Sequence, residues 1–540
     1  VTQLKWKQRE PVREPDVFSD LLQQVADIRG IDDLQEFLEP SSLSLLSPYL
    51  LDNMEKAVAR IVESIDKHQK ITVFMDFDCD GVCSGVMMYR YLKKFTDNVD
   101  YLIFQRSSDH GLKRKIISPD TELLIVVDAG TNDVQECLSL KQRGIDVVII
   151  DHHPASVDNP HAIIVNNQMG DYPNRTLSGS GVVFKVLEAL DEALGTLYHL
   201  EFFDLAAIGI IGDMMSLTES ETRAIIHQGL EMLSNEGVKQ ILLKQSILDL
   251  RSVSVMTVAF SIAPIINAAT RMNQSNLIVR LLISDDTEEI KNLAKECVAL
   301  NKSRKEKQEV AVDGLTFDNS HKVIFCVNND AFTDGMRGLI ANSLANEHQK
   351  PTIVVKLNDA SKLFEGSARG YNTVNFKDIL QQSGLVESAE GHANAFGVKI
   401  LKDNVDKLIN YCNEILTTTE QVLYYDVELQ APTITVDEVV QAHQFNRITG
   451  KDVEPIKVKL SNLQVSERTV GKKGNMVAFI GDALKAVKFS VTENYGTDVG
   501  CLDTIDVVGT LAVNKWWHNG RKEWVVEHQI IIDDYMKTDA

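Results

Sequence analysis

Ile71-Thr72-Val73-Phe74-Met75-Asp76-Phe77-Asp78-Cys79-Asp80-Gly81 is the stretch on which the reading of this chain turns. Its first five residues are apolar or β-branched, the pattern of a short strand covered on both faces. The next six carry three carboxylates at alternating positions and end on glycine. The segment after them, GVCSGVMMYRYLKKF, reads as a helix. Open parallel sheets bind ligands outside the carboxyl ends of their strands, so these carboxylates stand where a ligand is expected. Crowded there, they repel one another unless cations neutralise them, and oxygen donors of this kind suit magnesium or manganese.

The pattern recurs downstream. The apolar run Leu123 to Val127 ends at Asp128-Ala129-Gly130, and Val147 to Ile150 ends at Asp151-His152-His153-Pro154. A further acidic point, Asp213, lies in IGIIGDMM. Short apolar runs alternate with amphipathic segments from 71 to about 215, which predicts an α/β domain with a mostly parallel sheet. Three successive strands ending in aspartate, one with two histidines attached, point to a dinuclear site of manganese type.

Around this core the chain changes character several times. The first 68 residues read as helical and polar. Residues 221–315 read as helical again, and TEEIKNLAKECVALNKSRKEKQEVAVDGL predicts a long solvated helix connecting two lobes. A second α/β segment begins at HKVIFCV near 321. Beyond 424, short runs rich in valine and isoleucine, punctuated by turn residues, predict an all-β module, a small barrel. The 540 residues suffice for three or four domains. No apolar run reaches the length of a membrane span. No basic-then-apolar leader opens the sequence, so secretion is not expected. Seven scattered cysteines fit a reduced, cytoplasmic protein, with Cys79 and Cys83 as packing residues. The formal net charge of −22 runs against binding a polyanion, unless cations reverse the local sign or basic residues are confined to a channel.

D-x-D-x-D-G, a strand-end Asp, D-H-H and a later Asp together resemble the four motifs of the DHH phosphoesterase superfamily. The resemblance places Asp76, Asp78, Asp128, His152 and Asp213 on metal-ligand positions and His153 beside the reacting phosphate, with Asp80 and Asp151 supporting loop geometry. Met75 stands where RecJ-type exonucleases often have glycine, and Thr72 where the pyrophosphatase branch has a ligand histidine. Gly391-His392-Ala393-Asn394-Ala395-Phe396-Gly397 resembles the G-G-H-x-x-A-x-G signature of DHHA1 domains, with Glu390 in place of the first glycine. Gly366-Ser367-Ala368-Arg369-Gly370 resembles the G-S-x-R segment of RecJ-type enzymes, whose serine and arginine face the 5′ end, and Asn267 and Arg271 match their N-A-x-x-R segment. The last module is similar to their oligonucleotide-binding (OB) domain. There Lys472, Lys473, Trp516 and Trp517 are the candidates for tracking the backbone and stacking on bases.

The resemblance covers roughly residues 70–535 and leaves the helical region at 1–68 unassigned; it implies a DHH domain at 69–235, a helical connector at 236–318, a DHHA1-type domain at 319–423 and an OB-like domain at 424–540. It also implies a 5′-to-3′ exonuclease that releases 5′-mononucleotides from single-stranded DNA with two divalent cations, Mn²⁺ or Mg²⁺, in repair, recombination or replication. A cleft between the lobes would admit one strand. His153 or His392 would stabilise the developing charge or move a proton, with Asn267, Arg271, Ser367, Arg369 and Gly391 at the strand's end. Partner proteins would be a single-strand-binding protein or a helicase. Two other readings remain open. One is a small-substrate DHH phosphodiesterase acting on short RNA or cyclic dinucleotides, which needs no C-terminal barrel. The other is a non-catalytic replication scaffold, which would not need all five ligand positions filled.

Overall fold

The computed structural model describes residues 4–538 apart from 17–18, 104–111, 113–115, 329–331, 333, 417–421, 472–473, 482–483 and 519. The chain falls into two compact units: Pro264–Glu420 forms the second, while most of the first 263 residues and Gln421–Ala540 form the first.

The first unit holds two sheets that matter for function, and a short strand, β1 (Lys5–Gln8). β2 (Ile71–Met75), β3 (Val99–Ile103), β4 (Leu123–Val127), β5 (Asp146–Asp151) and β6 (Ile163–Asn166) make a wholly parallel sheet in the order β3-β2-β4-β5-β6. Every residue of β2 and β4 is buried, which is why those strands read as unbroken apolar runs. Phe74, Leu124, Val126 and Ile149 pack on one side against Cys137 and Leu140 of the helix Val134–Gln142. The helices Cys79–Leu92 and Gly179–Leu194 pack on the sheet as well. The chain leaves β2 first towards β3 and then crosses back to β4. The strand order therefore reverses between β2 and β4, and the crevice beyond their carboxyl ends is the place for a ligand.

In the second unit, β7 (Ile324–Val327), β8 (Thr352–Asn358), β9 (Leu363–Arg369), β10 (Val386–His392) and β11 (Ala395–Leu401) form a mixed sheet in the order β10-β11-β9-β8-β7, with only β7 and β8 parallel. Ile340 and Leu344 of the helix Arg337–His348 cover one face, and Phe376, Leu380 and Leu408 the other. The long charged helix is Thr287–Asp313, 27 residues, its N-terminus capped by the Asp286 carboxylate, which accepts from the Glu289 N–H at 2.7 Å.

The C-terminal part of the first unit opens with β12 (Val422–Tyr425) and β13 (Val427–Gln430). It continues through β14 (Val458–Val470), β15 (Met476–Gly481), β16 (Lys485–Phe489), β17 (Thr504–His518) and β18 (Glu523–Thr538). β14 pairs with β15, β15 with β16, β16 with β18, β18 with β17, and β17 returns to β14. That closes a five-stranded barrel with the connectivity of an OB fold.

The opening residues depart from the helical reading. β1 pairs in parallel with β12, and Leu21, Leu22, Val25 and Ile28 of the helix Leu21–Arg29 enter the barrel's own core beside Phe445, Val458 and Ile530. Arg29 fixes the arrangement through the buried carboxylate of Asp426, Nε to Oδ1 at 2.9 Å and Nη2 to Oδ2 at 2.6 Å. The sequence Lys5-Trp6-Lys7-Gln8 has one apolar residue and no alternation; its strand exists because β12 offers a free edge. All seven cysteines are unpaired as disulfides, and Cys79 and Cys83 are buried on one helix. Among the described residues, no helix is long and apolar enough to cross a membrane.

Candidate metal centre

The carboxyl ends of β2, β4 and β5 deliver their acidic residues into one crevice. Asp76 follows β2 directly. Asp78 is the N-cap of the helix Cys79–Leu92 and accepts from the Gly81 N–H at 3.0 Å. Asp80, in that helix's first turn, is buried; its Oδ1 accepts from the Ser178 hydroxyl at 2.7 Å and the Ser180 N–H at 3.0 Å. Asp128 follows β4 in the left-handed region, φ 60°, a conformation unusual for any residue but glycine and often found at functional sites. Asp213 caps the carboxyl end of the helix Phe203–Gly212.

His152 joins these groups. Its Nε2 lies 3.2 Å from Asp128 Oδ1, 3.6 Å from Asp213 Oδ2 and 4.0 Å from Asp80 Oδ2. Asp76, Asp78 and Asp128 form one compact ligand group, Asp80, His152 and Asp213 a second, and Asp128, Asp151, His152 and His153 a third, each within 4.8 Å. Asp151 is spent on support. Its Oδ1 accepts from the N–H groups of His152 (2.7 Å) and His153 (3.2 Å) and lies 2.8 Å from His153 Nδ1, while Oδ2 accepts from the Thr131 N–H and hydroxyl. Thr72 hydrogen-bonds the Thr121 hydroxyl at 2.9 Å, an ordinary buried pair.

The electrostatics separate the two kinds of aspartate. Burial, then the neighbouring Asp78, pushes Asp76 up to about 7. Burial, then Asp80 and Asp78, pushes Asp213 up to about 8, and the same causes raise Asp128 well above the usual carboxylate range. Burial also raises Asp78 and holds His152 below the usual imidazole range. Asp151 goes the other way. Burial alone would raise it, yet its hydrogen bonds and the His153 charge hold it at about 2, and Asp151 in turn lifts His153 to about 9. Asp80 Oδ2 and Asp128 Oδ1 are buried with no hydrogen-bond partner. Buried acceptors without donors, beside mutually repelling carboxylates, are the deficit that cations remove. A donor set of aspartate oxygens and one imidazole fits two divalent cations of the manganese or magnesium kind.

A second constellation lies within the other unit. Ser367 and Arg369 alternate along β9 and so share a face. Gly338 lies where a methyl group would come within 2.6 Å of Arg369 Nη2 and 3.6 Å of Ser367 Oγ, so the first turn of the helix Arg337–His348 can close on both only without a side chain there. The Arg271 carbonyl lies 3.7 Å from the corresponding position at Gly335, which brings the end of the helix Ala263–Arg271, and with it Asn267 one turn earlier, to the same neighbourhood. His392 pairs with Ala395, and Ala395 with Arg369, so the DHHA1-like hairpin is level with the arginine across one strand. Gly391 there has φ 129°, which no other residue adopts easily. Asn394, not singled out from the sequence, accepts from the Thr373 hydroxyl (2.9 Å) and the Phe376 N–H (3.0 Å) and so fixes the loop that leaves Arg369.

On the barrel, Trp516 and Trp517 are 38% and 37% exposed near the tip of the β17–β18 hairpin, on opposite faces of it. Trp524, which the sequence reading passed over, meets Trp517 edge to face with ring centroids 5.6 Å apart. Lys472 and Lys473 lie outside the described residues.

The DHH family, N-terminal domain, matches residues 70–210. A single-strand DNA-specific exonuclease of the SPbeta prophage in Bacillus subtilis (strain 168), so named as putative, is 29% identical over 551 residues, covering 94% of this chain and 95% of the relative. The single-stranded-DNA-specific exonuclease RecJ of the same strain is 30% identical, over 92% of this chain and 66% of that protein. The crystal structure of RecJ from Thermus thermophilus in complex with Mn²⁺ shares the fold, with a TM-score of 0.78 at 23% identity over 96% of this chain and 76% of that one. With its strand-end carboxylates and D-H-H histidines gathered in one crevice, its second mixed-sheet unit and its closed barrel, the chain belongs to the RecJ branch of the DHH family.

Proposed function

We propose that this protein is a metal-dependent exonuclease that hydrolyses single-stranded DNA from the 5′ end and releases 5′-mononucleotides. The observation that carries the reading is the crevice beyond β2, β4 and β5, where buried aspartate oxygens without donors face one another and a histidine. When bound, divalent cations supply Lewis-acid activation of water and charge neutralisation at phosphate. The chain's own groups divide the remaining work. Asp76, Asp78, Asp128, His152 and Asp213 would hold the cations, with Asp80 turning its second oxygen to the same cluster. Asp151 holds the His153 ring through Nδ1, which leaves the Nε2 edge to donate to a phosphate oxygen as negative charge develops. The leaving group is the 3′ oxygen of the terminal nucleotide, so each cut leaves a new 5′-phosphate on the shortened strand. Arg369, with Ser367 and Arg271, would read that phosphate, since a guanidinium fork pairs with two of its oxygens. Asn267, Gly391 and His392 would complete its contacts. The barrel with Trp516 and Trp517 would hold the strand by stacking. Acting on such a substrate, the protein would work in the cytoplasm beside a single-strand-binding protein or a helicase.

The test is hydrolysis of a single strand with Mn²⁺, Mg²⁺ or a chelator, for the parent chain and for Asp128→Ala and His152→Ala. Mononucleotides should form only with a divalent cation, and both variants should fall by more than the roughly 10–100-fold typical of residues that merely orient a metal ligand. Near-normal turnover in either folded variant, or equal release in chelator, would overturn the assignment.

A further inference from the structure

We propose that the cavity between the β17–β18 hairpin and the turn Leu250–Ser252 seats one nucleotide of the single strand, its base against Trp524 and Leu248 and its phosphate at Arg251. The inference rests on the single-strand reading above and deepens it, since half of the seat comes from residues outside the barrel.

The cavity measures about 340 Å³ and is lined by Leu248, Asp249, Arg251, Ser252, Lys515 and Trp524, all within the first unit. That is near the lower end of the roughly 300–1,000 Å³ of small-molecule sites, and enough for a base and its sugar. The hairpin wall follows from strand register. Trp517 pairs with Trp524 and Lys515 with Val526, so these four side chains share one face of the hairpin. The Trp524 ring is steadied there: Trp517 meets it edge to face with centroids 5.6 Å apart, and the Lys515 ammonium lies 4.9 Å from its centroid. The opposite wall is fixed by its own bonds. The Arg251 N–H donates to Asp249 Oδ1 at 3.2 Å, the Ser252 hydroxyl to the Asp249 carbonyl at 2.7 Å, and Gln245 Nε2 to the Ser261 carbonyl at 2.7 Å. Lys515 ties the two walls together, its Nζ donating to Asp249 Oδ2 at 2.5 Å.

Leu248 and Trp524, 49% and 40% exposed, give the cavity apolar sides on which a flat base can lie. A strand brings a negative charge with every base, and the cavity is equipped for it. Asp249 is spent: one oxygen takes the Lys515 ammonium and the other the Arg251 N–H. Arg251 is exposed, and among the described residues no carboxylate takes its guanidinium into an ion pair. The one carboxylate of the cavity is thus cancelled by the one lysine, and the charge of the arginine remains for a phosphate. The seat is also tied to the metal centre by short packed contacts. Three residues beyond the turn, Val255 Cγ1 lies 3.3 Å from where a methyl group at Gly450 would stand, and Leu217 Cδ1 lies 3.0 Å from the same point. Leu217 is four residues beyond Asp213.

The experiment separates base from phosphate. Two fluorescent probes are bound to the full chain without divalent cation, so that turnover does not enter: an oligothymidylate, and an abasic strand of the same length. Trp524→Ala should weaken the oligothymidylate about tenfold or more and leave the abasic strand unchanged, because it removes a stack and no charge. Trp524→Phe should recover most of that loss. Leu248→Ala should show a smaller loss, again on the oligothymidylate alone. Arg251→Gln should lower the slope of log affinity against log salt by about 0.7 on both probes, the value for one phosphate on a single strand, and Arg251→Lys should restore it. Equal losses on both probes in Trp524→Ala would mean that the ring only shapes the hairpin. Unchanged affinity for both would mean that the strand passes elsewhere, and either result would overturn the proposal. An unchanged salt slope in Arg251→Gln would overturn it as well. Should Trp524→Ala fail to fold, Leu248→Ala and Arg251→Gln, at exposed positions, decide the matter. Failure of the parent chain to hydrolyse DNA would count against the exonuclease reading and leave these binding measurements to decide this one.

Discussion

At Asp151 five donors converge on one carboxylate: the N–H groups of Thr131, His152 and His153, the Thr131 hydroxyl and the His153 ring. A carboxylate so satisfied orients a histidine and has no oxygen left for a cation. Asp80 is satisfied on one oxygen only, by Ser178 and Ser180, which lie 98 and 100 residues downstream. The spelling D-x-D-x-D-G announces carboxylates at a strand end, but which oxygen stays open depends on those distant serines, and no local pattern records them. The same holds in the second unit, where Gly338 makes room for Arg369 from another element. Arg369→Ala should weaken the preference for 5′-phosphorylated over 5′-hydroxyl strands by about tenfold or more, as expected for a lost charge-assisted pair. Lysine should rescue only in part, lacking the planar fork. Rates on two strands that differ only in the 5′ group check this, and an unaltered preference in Arg369→Ala would remove the arginine from the end pocket.

At the scale of elements, the buried strands β2, β4 and β5 were readable because two covered faces demand unbroken apolar runs. The pairing of β1 with β12 was not, because a short edge strand is recruited by its partner's backbone. Nor was the reach of β17 and β18, 15 and 16 residues long, which project their tryptophans near the end of the hairpin. Because the helix Leu21–Arg29 shares the barrel's core, cutting the chain at 424 would strip that helix as well, so the barrel's role is better tested in place. Trp516→Ala combined with Trp517→Ala should weaken binding of a long strand by about 1–3 kcal/mol per lost stack. Hydrolysis of a trinucleotide should change little; equal losses on both substrates would make the tryptophans structural. A second element-level prediction concerns the carboxyl end of the helix Gly179–Leu194. Burial would raise Asp191, but the His199 N–H, the Thr196 hydroxyl, the His199 ring and the Tyr91 hydroxyl hold it below the usual carboxylate range. A folded value below the unfolded one contributes stability above the unfolded value, lost as pH falls through the folded one. Asp191→Asn should therefore cost about 1–3 kcal/mol at pH 7 and progressively less below about pH 4. Denaturant unfolding at both ends of that range checks it, and a gap that stays constant with pH would refute it.

Over the whole molecule, the net charge of −22 is the property least suited to a DNA-binding protein, and the crevice accounts for part of it. Six aspartates are gathered at one centre, Asp76, Asp78, Asp80, Asp128, Asp151 and Asp213, where bound cations would turn repulsion of phosphate into attraction. The α/β class, the second mixed sheet and the barrel were legible from alternation and composition. The division of the chain, with its first residues built into the same unit as its last, was not, because contacts between the two ends of a chain leave no periodic trace. A small-substrate phosphodiesterase would need neither the closed barrel nor its exposed tryptophans. The most direct test is digestion of one single strand labelled at its 5′ end in one sample and at its 3′ end in another, with Mn²⁺ or Mg²⁺ and a circular single strand alongside. The account predicts immediate release of the 5′ label as a mononucleotide, late release of the 3′ label, and an intact circle. Early release of the 3′ label, or ready cutting of the circle, would contradict it.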